Sequence, residues 1–166
     1  MKTAVLYFSR TGNSKRVAEK IAQKLHGETA CITDEESWKG PGGFARGAMF
    51  AAKWEITHPV VSPIVDYKGC DRIVIIGPVW AANPAPAVYS LIMQELKEYA
   101  NKVTLVLTCG GMNMPIPSKI ESKIGKTNTI FVIAKFGDIE DNAIDRIVRD
   151  LNEKQDADNQ QSSMLA

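Results

Sequence analysis

The residues best suited to chemistry form a short polar turn near the start of the chain, residues 9–14, with the sequence Ser-Arg-Thr-Gly-Asn-Ser. This phosphate turn follows an apolar run, residues 4–8, and precedes a segment with helical periodicity. A helix N-terminus presents unpaired N–H groups and the positive end of its dipole, which favour an anion. The hydroxyl and amide side chains add donors, and Gly12 lets the backbone approach a ligand closely. We therefore expect the turn to hold the phosphate of a nucleotide-like cofactor.

Two well-known phosphate loops do not match this turn. A Walker A loop needs Lys and then Ser or Thr after its last glycine, whereas Asn13 and Ser14 follow Gly12. The Gly-x-Gly-x-x-Gly pattern of dinucleotide-binding turns is absent as well. The alternative interpretation is an ordinary strand-to-helix turn with an N-cap at Thr11 or Asn13.

Apolar patterns predict strands that alternate with helices along most of the chain. Continuous apolar runs such as residues 72–76 are typical of central parallel strands that are buried on both faces. Alternation of this kind implies right-handed crossovers and a parallel sheet covered on both sides. Ligands of such sheets bind beyond the C-terminal ends of the strands, which selects the loops after the first, third and fourth strands. The predicted strands are residues 2–8, 28–32, 72–76, 103–107 and 129–134, and the predicted helices are residues 13–26, 44–54, 86–99, 117–124 and 138–154.

Composition narrows the class of protein. The chain has 166 residues, a formal net charge of +1 and 45% hydrophobic residues, which fits one globular domain and gives no sign of a nucleic-acid footprint. No apolar run is long enough to span a membrane, and no secretory signal pattern is present, so a cytoplasmic location is expected. The three cysteines are widely spaced, which argues against a disulfide framework or a metal site. We expect a domain over residues 1–154 and a flexible tail over residues 155–166.

The phosphate turn resembles the pattern of the flavodoxin family, in which Thr or Ser, any residue, Thr, Gly, any residue and Thr or Ser follow one another. The loops at residues 78–80 and 108–111 resemble the flavin loops of that family, and residues 43–53 resemble a segment common in its short members. The resemblance implies an α/β three-layer sandwich with a five-stranded parallel sheet in the order 2-1-3-4-5, and a bound FMN. The cofactor-binding residues that it implies are Ser9, Arg10, Thr11, Gly12, Asn13, Ser14, Pro78, Val79, Trp80, Ala81, Ala82, Asn83, Thr108, Cys109, Gly110, Gly111 and Met112.

Several of these positions carry two interpretations. Trp80 is the candidate for stacking on the flavin ring, although it could also be a loop anchor buried in the core. Arg10 either pairs with the phosphate or points to solvent. Cys109 would lie beside the ring, where an inert packing residue is favoured over a redox-active thiol.

The chain departs from the family pattern in the two loops expected to hold the flavin ring, which we call the ring loops. The loop after the fourth strand offers Met112 and Met114 where many flavodoxins have an aromatic residue. The loop after the third strand has Ala81 and Ala82 where the family often has a glycine. Because a Cβ disfavours positive φ, we expect these alanines to avoid it, which would weaken the family's stabilisation of one-electron-reduced flavin and favour two-electron chemistry.

The expected function is electron transfer by an FMN-binding redox protein, fed by a redox partner protein or a small electron donor. A small FMN-dependent NAD(P)H or quinone oxidoreductase is the first alternative, and a non-redox binding or regulatory module is the second. Neither a catalytic residue nor a metal site is assigned. The near-neutral charge is unlike that of the strongly acidic flavodoxins, so the partner-facing surface is left open, as is pairing with a second copy of the chain.

Overall fold

The computed structural model describes residues 1–110, 117–125, 127, 129–134 and 141–164. Helices and strands alternate along the chain as the apolar patterns predict, and the strands form one mixed sheet. The strands are β1 (Thr3–Tyr7), β2 (Glu28–Asp34), β3 (Pro59–Ser62), β4 (Arg72–Trp80), β5 (Asn83–Pro84), β6 (Val103–Cys109) and β7 (Thr129–Ala134). The helices are α1 (Asn13–Leu25), α2 (Gly40–Lys53), α3 (Pro86–Leu91), α4 (Pro117–Ile124) and α5 (Asp141–Met164).

The sheet has the predicted topology at its centre. Within the described residues its order is β3-β2-β1-β4-β6-β7, and β2, β1, β4, β6 and β7 run parallel. These five strands correspond to the predicted order 2-1-3-4-5, which is thereby confirmed. The prediction missed two antiparallel additions: β3 extends the edge beside β2, and β5 pairs with the end of β4.

The side chains of the sheet alternate between two hydrophobic cores, which makes the molecule a three-layer sandwich. Leu6 and Ile75 face the layer that contains α2, α3 and α4. Val5 and Val74 face the opposite layer, formed by α1 and α5. All four side chains are fully buried, as expected for central parallel strands covered on both faces. The first predicted helix is confirmed as α1, whose apolar stripe packs in the second core.

Helix α2 begins earlier than the glycine and proline content suggested. The sequence predicts a turn at residues 40–43, but these residues form the first turn of α2. Pro41 is tolerated there because the first N–H groups of a helix have no intrahelical partner. Gly47 and Ala51 are the buried residues of α2, so this helix attaches to the sheet through small side chains.

Strand β4 also extends further than predicted. Residues 77–80 were expected in a loop, but they continue the strand, and Pro78 lies opposite Thr108 of β6. After Trp80 the chain turns at Ala81 and Ala82 and returns as β5, with Trp80 paired to Asn83. Strand β4 thus continues through Gly77 and Pro78 as far as the hairpin.

The helix predicted over residues 86–99 is divided in the structure. Helix α3 is followed by a wider π-type turn, Ile92–Leu96, and then by a 3-10 segment, Lys97–Lys102. Helix α5 is described from Asp141, so the predicted start at Asp138 lies outside the described residues. Its backbone is helical as far as Met164, beyond the predicted end at Lys154, while the division into a domain and a flexible tail stays a prediction. None of the described helices combines the length and apolar character needed to cross a membrane.

Three polar side chains, those of Tyr67, Lys68 and Glu95, connect the segment before β4 to the π-type turn after α3. The Tyr67 hydroxyl donates to Glu95 Oε2 at 2.7 Å, and Lys68 Nζ lies 3.0 Å from the same oxygen. These contacts, led by the Tyr67 hydrogen bond, hold the pKa of Glu95 below its ordinary value of 4.5. Burial, followed by the bond to Glu95, raises the pKa of Tyr67. These contacts therefore favour an ionised Glu95 and a neutral Tyr67.

Replacing Tyr67 by Phe should lower the free energy of unfolding at pH 7 by about 1 kcal/mol, given the partial exposure of Glu95. Because the folded state holds the pKa of Glu95 below 4.5, this stabilisation is present above pH 4.5 and is lost as pH falls through the folded value. Urea unfolding of wild type and Tyr67→Phe between pH 7 and pH 3 measures the difference. A difference that stays constant across this range would contradict the assigned role of Glu95.

Gly47 allows α2 to lie directly against the ring of Trp80. A Cβ built on Gly47 would be 2.5 Å from Cζ3 and 2.8 Å from Cε3 of Trp80. Trp80 is itself buried, so the ring has little freedom to move away. A glycine in a helix is ordinarily about 0.5–1 kcal/mol less favourable than alanine, which indicates that this close approach outweighs helix propensity.

We expect Gly47→Ala to lower the free energy of unfolding by about 1–3 kcal/mol through overpacking. Gly42→Ala is the matched control, because it lies in the same helix and its added Cβ would meet nothing within 4 Å. Thermal or urea unfolding of the two variants should give changes of opposite sign. If both substitutions stabilise the protein, the contact between α2 and Trp80 is not a constraint.

Candidate functional site

A cavity of about 360 Å³ lies where β1, β4 and β6 end, at the C-terminal edge of the parallel strands. Among its described lining residues are members of all three predicted loops, so the structure brings the phosphate turn and the two ring loops together. Gly12, Ala81, Ala82 and Asn83 are not among the lining residues, and Gly111 and Met112 lie outside the described residues. The predicted residues that line the cavity are Ser9, Arg10, Thr11, Asn13, Ser14, Pro78, Val79, Trp80, Thr108, Cys109 and Gly110.

The phosphate turn is held in shape by its own groups. Gly12 has φ of 93°, in the left-handed region that favours glycine, and its N–H donates to Ser9 Oγ at 3.0 Å. Within the described residues no side chain caps the N-terminus of α1, and its first turn contains no acidic residue. The first N–H groups of α1 and the exposed Thr11 therefore remain for an anion in the cavity.

Ser14 connects the phosphate turn to the ring end of the cavity. Its hydroxyl lies 2.8 Å from Thr108 Oγ1, and both side chains are buried. Thr108 Oγ1 also lies 3.5 Å from the carbonyl oxygen of Gly77, at the long limit of a hydrogen bond. The sequence predicts a hydroxyl donor at Ser14, and the structure places this hydroxyl next to a residue of β6. The start of α1 and the end of β6 are consequently held as one unit.

Arg10 is exposed and lines the cavity, and its guanidinium contacts residues at and just before the start of α2, while its pairing with a phosphate stays a prediction. Its Nε donates to the carbonyl oxygen of Trp38 at 3.0 Å, and its Nη2 donates to that of Gly40 at 3.1 Å. Its guanidinium carbon lies 5.0 Å from the centre of the Phe44 ring, a cation–π distance. Arg10 thus joins the phosphate turn to the beginning of α2.

Trp80 lines the cavity and is also buried in an aromatic cluster. Only 4% of the residue is exposed, and its ring meets Phe8, Trp38 and Phe44 edge-on, with centroid distances of 5.6, 5.8 and 6.0 Å. Stacking on a ligand and anchoring the loop are both compatible with this position. Its predicted role as a stacking residue therefore stays a prediction.

Two lining residues, Phe44 and Ile133, were missed by sequence reasoning. Ile133 belongs to β7, whose following loop was not assigned to the site. Phe44 lies in α2 and is 44% exposed beside the cavity. The sequence signal that could have found Phe44 is a large aromatic residue among glycines and alanines. It lies within residues 43–53, the segment that resembles one common in short flavodoxins.

The hairpin between β4 and β5 contradicts the expectation for its alanines. Ala81 has φ of 47° and Ala82 has φ of 61°, so both adopt the conformation that a Cβ disfavours. A two-residue hairpin turn with positive φ at both positions matches the twist of the flanking strands, which explains the outcome. The alanines therefore give no reason to expect weaker stabilisation of one-electron-reduced flavin or a preference for two-electron chemistry.

The cysteines and acidic groups do not form a second centre within the described part of the chain. Cys31, Cys70 and Cys109 are free thiols, and only Cys109 lines the cavity. Burial raises the pKa of Cys70, which suits an inert packing residue. No group of three or more His, Cys, Asp or Glu side chains among the described residues is arranged to hold a metal ion.

Comparison with known proteins gives matches in structure but not in sequence. No protein-family model and no curated protein matches the sequence. A flavoprotein from Lactobacillus acidophilus NCFM, solved in complex with FMN, is 23% identical with a TM-score of 0.64, covering 87% of this chain and 97% of its own. A candidate flavoprotein from Bacteroides uniformis is 18% identical with a TM-score of 0.67, covering 89% and 97%.

A flavodoxin from the domain Archaea is also similar, with 16% identity and a TM-score of 0.55 over 93% of this chain and 98% of its own. At these identities the likeness concerns the fold. The strand order, the three layers and the structural neighbours agree on one conclusion: the chain has the flavodoxin-like fold.

Proposed function

We propose that the cavity binds FMN and that the protein works in electron transfer. The observation that carries this proposal is the joining, in one cavity, of an uncapped helix N-terminus with the ends of β4 and β6. The phosphate of FMN would lie at the polar phosphate turn. Its planar ring would lie between the ends of β4 and β6, where the lining is more apolar. The FMN-bound neighbour from L. acidophilus supports the choice of ligand.

The residues present fit such a ligand. The N–H groups at the start of α1 and the hydroxyl of Thr11 would bind the phosphate, since charge-assisted hydrogen bonds from preorganised donors are strong. Trp80, Val79 and Pro78 would provide an apolar wall for the ring. Gly110, which lines the cavity, would present its backbone to polar atoms at the ring edge. Because Thr108 is bonded to Ser14 and lies opposite Pro78, the start of α1 is joined to the two strands that would hold the ring.

The flavin would supply the redox chemistry, and the protein would bind it, orient it and tune its surroundings. Among the described residues lining the cavity, none of the side chains is Asp, Glu or His, so the described lining offers no carboxyl or imidazole group for acid–base work on a substrate. This favours transfer of electrons between partners over a reaction on a bound substrate. A small NAD(P)H or quinone oxidoreductase is the alternative within the same cofactor class.

Replacing Thr11 by Val should weaken FMN binding about tenfold, because one charge-assisted hydrogen bond to the phosphate is lost while the side-chain shape is kept. Riboflavin, which lacks the phosphate, should bind both proteins equally well. Thr33→Val is the control, since Thr33 is an exposed threonine of β2 whose hydroxyl bonds the Val60 carbonyl. Fluorescence titration gives the dissociation constants, and an unchanged FMN constant would remove Thr11 from the phosphate site.

Electron transfer by partner proteins predicts that neither NADH nor NADPH reduces the FMN-loaded protein directly. Anaerobic titration followed at the visible flavin bands tests this, with dithionite as the control that reduces the flavin fully. Stoichiometric bleaching by either nicotinamide would identify a reductase instead. A protein that takes up no FMN at all would overturn the flavin proposal itself.

A further inference from the structure

We infer that Phe44 of α2 forms part of the wall against which the bound flavin packs, and that Arg10 positions Phe44 instead of binding the phosphate. This inference rests on the proposed function, because it concerns the same cavity. It assigns a role to the beginning of α2, which the resemblance left without one.

Phe44 occupies an unusual environment for a large apolar side chain. It is 44% exposed, yet it lines the cavity and touches the edge of Trp80 with a centroid distance of 6.0 Å. An exposed aromatic ring beside a cavity is a surface that a planar ligand can cover, and the area removed from water would favour binding. The ring lies between the phosphate turn, through Arg10, and the ring end of the cavity, through Trp80.

Arg10 has its donors directed to α2. Two nitrogens of the guanidinium bond the carbonyl oxygens of Trp38 and Gly40, which lie just before and at the start of the helix. The guanidinium carbon of the same group lies 5.0 Å from the centre of the Phe44 ring. A guanidinium fixed by two carbonyls is a rigid support for a ring. Arg10 therefore stands in the phosphate turn while its contacts hold the helix and the ring of Phe44.

Arg46 offers a natural comparison on the same helix. Its guanidinium lies 5.4 Å from the Trp38 ring, its Nη2 donates to the Ser37 carbonyl at 3.1 Å, and it pairs with Glu36. These contacts are of the same kind as those of Arg10, but Arg46 does not line the cavity. Arg46 thus separates the effect of supporting α2 in general from the effect of supporting Phe44.

The experiment measures dissociation constants of FMN and riboflavin for wild type, Phe44→Ala, Arg10→Gln and the double variant. Phe44→Ala should weaken both ligands by the same factor, about tenfold, because both carry the ring. Arg10→Gln should weaken both by a common, smaller factor. The dissociation constants of the double variant should be close to those of Phe44→Ala alone, because Arg10 acts through Phe44. They should not rise by the product of the two single effects. The visible spectrum of bound flavin should shift in Phe44→Ala.

Arg46→Gln and Met49→Ala are the controls, since Met49 is an exposed side chain of α2 that does not line the cavity. Both should bind FMN and riboflavin like wild type, and circular dichroism checks that every variant is folded. Loss of FMN affinity with unchanged riboflavin affinity in Arg10→Gln would make Arg10 a phosphate ligand and overturn the inference. Unchanged binding in Phe44→Ala would overturn it too. If wild type binds neither flavin, the proposed function fails first; if it binds FMN, any failure belongs to this inference alone.

Discussion

The packing of Trp80 against Gly47 is the contact on which the arrangement of the site depends. Trp80 is the last residue of β4, and its indole ring contacts Phe8 just after β1. The same ring packs against α2 at Gly47, where the absence of a side chain allows close contact. Three elements from distant parts of the sequence therefore share one aromatic ring. Since protein interiors are close-packed, the position of each element is set by the volume of that ring.

The strained turn after Trp80 is understandable from the same contact. Positive φ at a non-glycine residue costs about 1–2 kcal/mol, and Ala81 and Ala82 both have it. Burial of Trp80 and the hydrogen bond from Asn83 Nδ2 to the Ala51 carbonyl, at 2.9 Å, hold the hairpin on α2. Local strain is retained where the surrounding packing determines the conformation, and here it lies next to the cavity.

The sequence was sufficient for the central sheet and the general place of the site. Strands β1, β4 and β6 are continuous apolar runs, and such runs can be recognised without tertiary information. The phosphate turn was recognisable because its polar residues are contiguous. The rule that ligands bind at the C-terminal edge of parallel strands then brought the three loops together.

The remaining features depend on contacts between distant residues, which the sequence does not display. The glycines at residues 40–43 read locally as a turn, but they begin α2, and Gly43 lies against the backbone of Trp38. Gly77 and Pro78 read as the start of a loop, but pairing with β6 keeps them in the strand. The pairing of Ser14 with Thr108 spans 94 positions, and the partners of Arg10 lie 28 and 30 residues away. Phe44 could be placed at the cavity only after these contacts were known.

The sparse attachment of α2 has a consequence for how the protein opens. Of its own residues only Gly47 and Ala51 are buried, whereas α1 buries Val17, Ile21 and Leu25, so α2 contributes few apolar side chains to its own attachment. Elements of this kind open locally at a fraction of the global free energy and lose amide hydrogen-exchange protection first. Because Phe44 of α2 lines the cavity, a bound molecule that packs against this side chain would also stabilise the attachment of the helix.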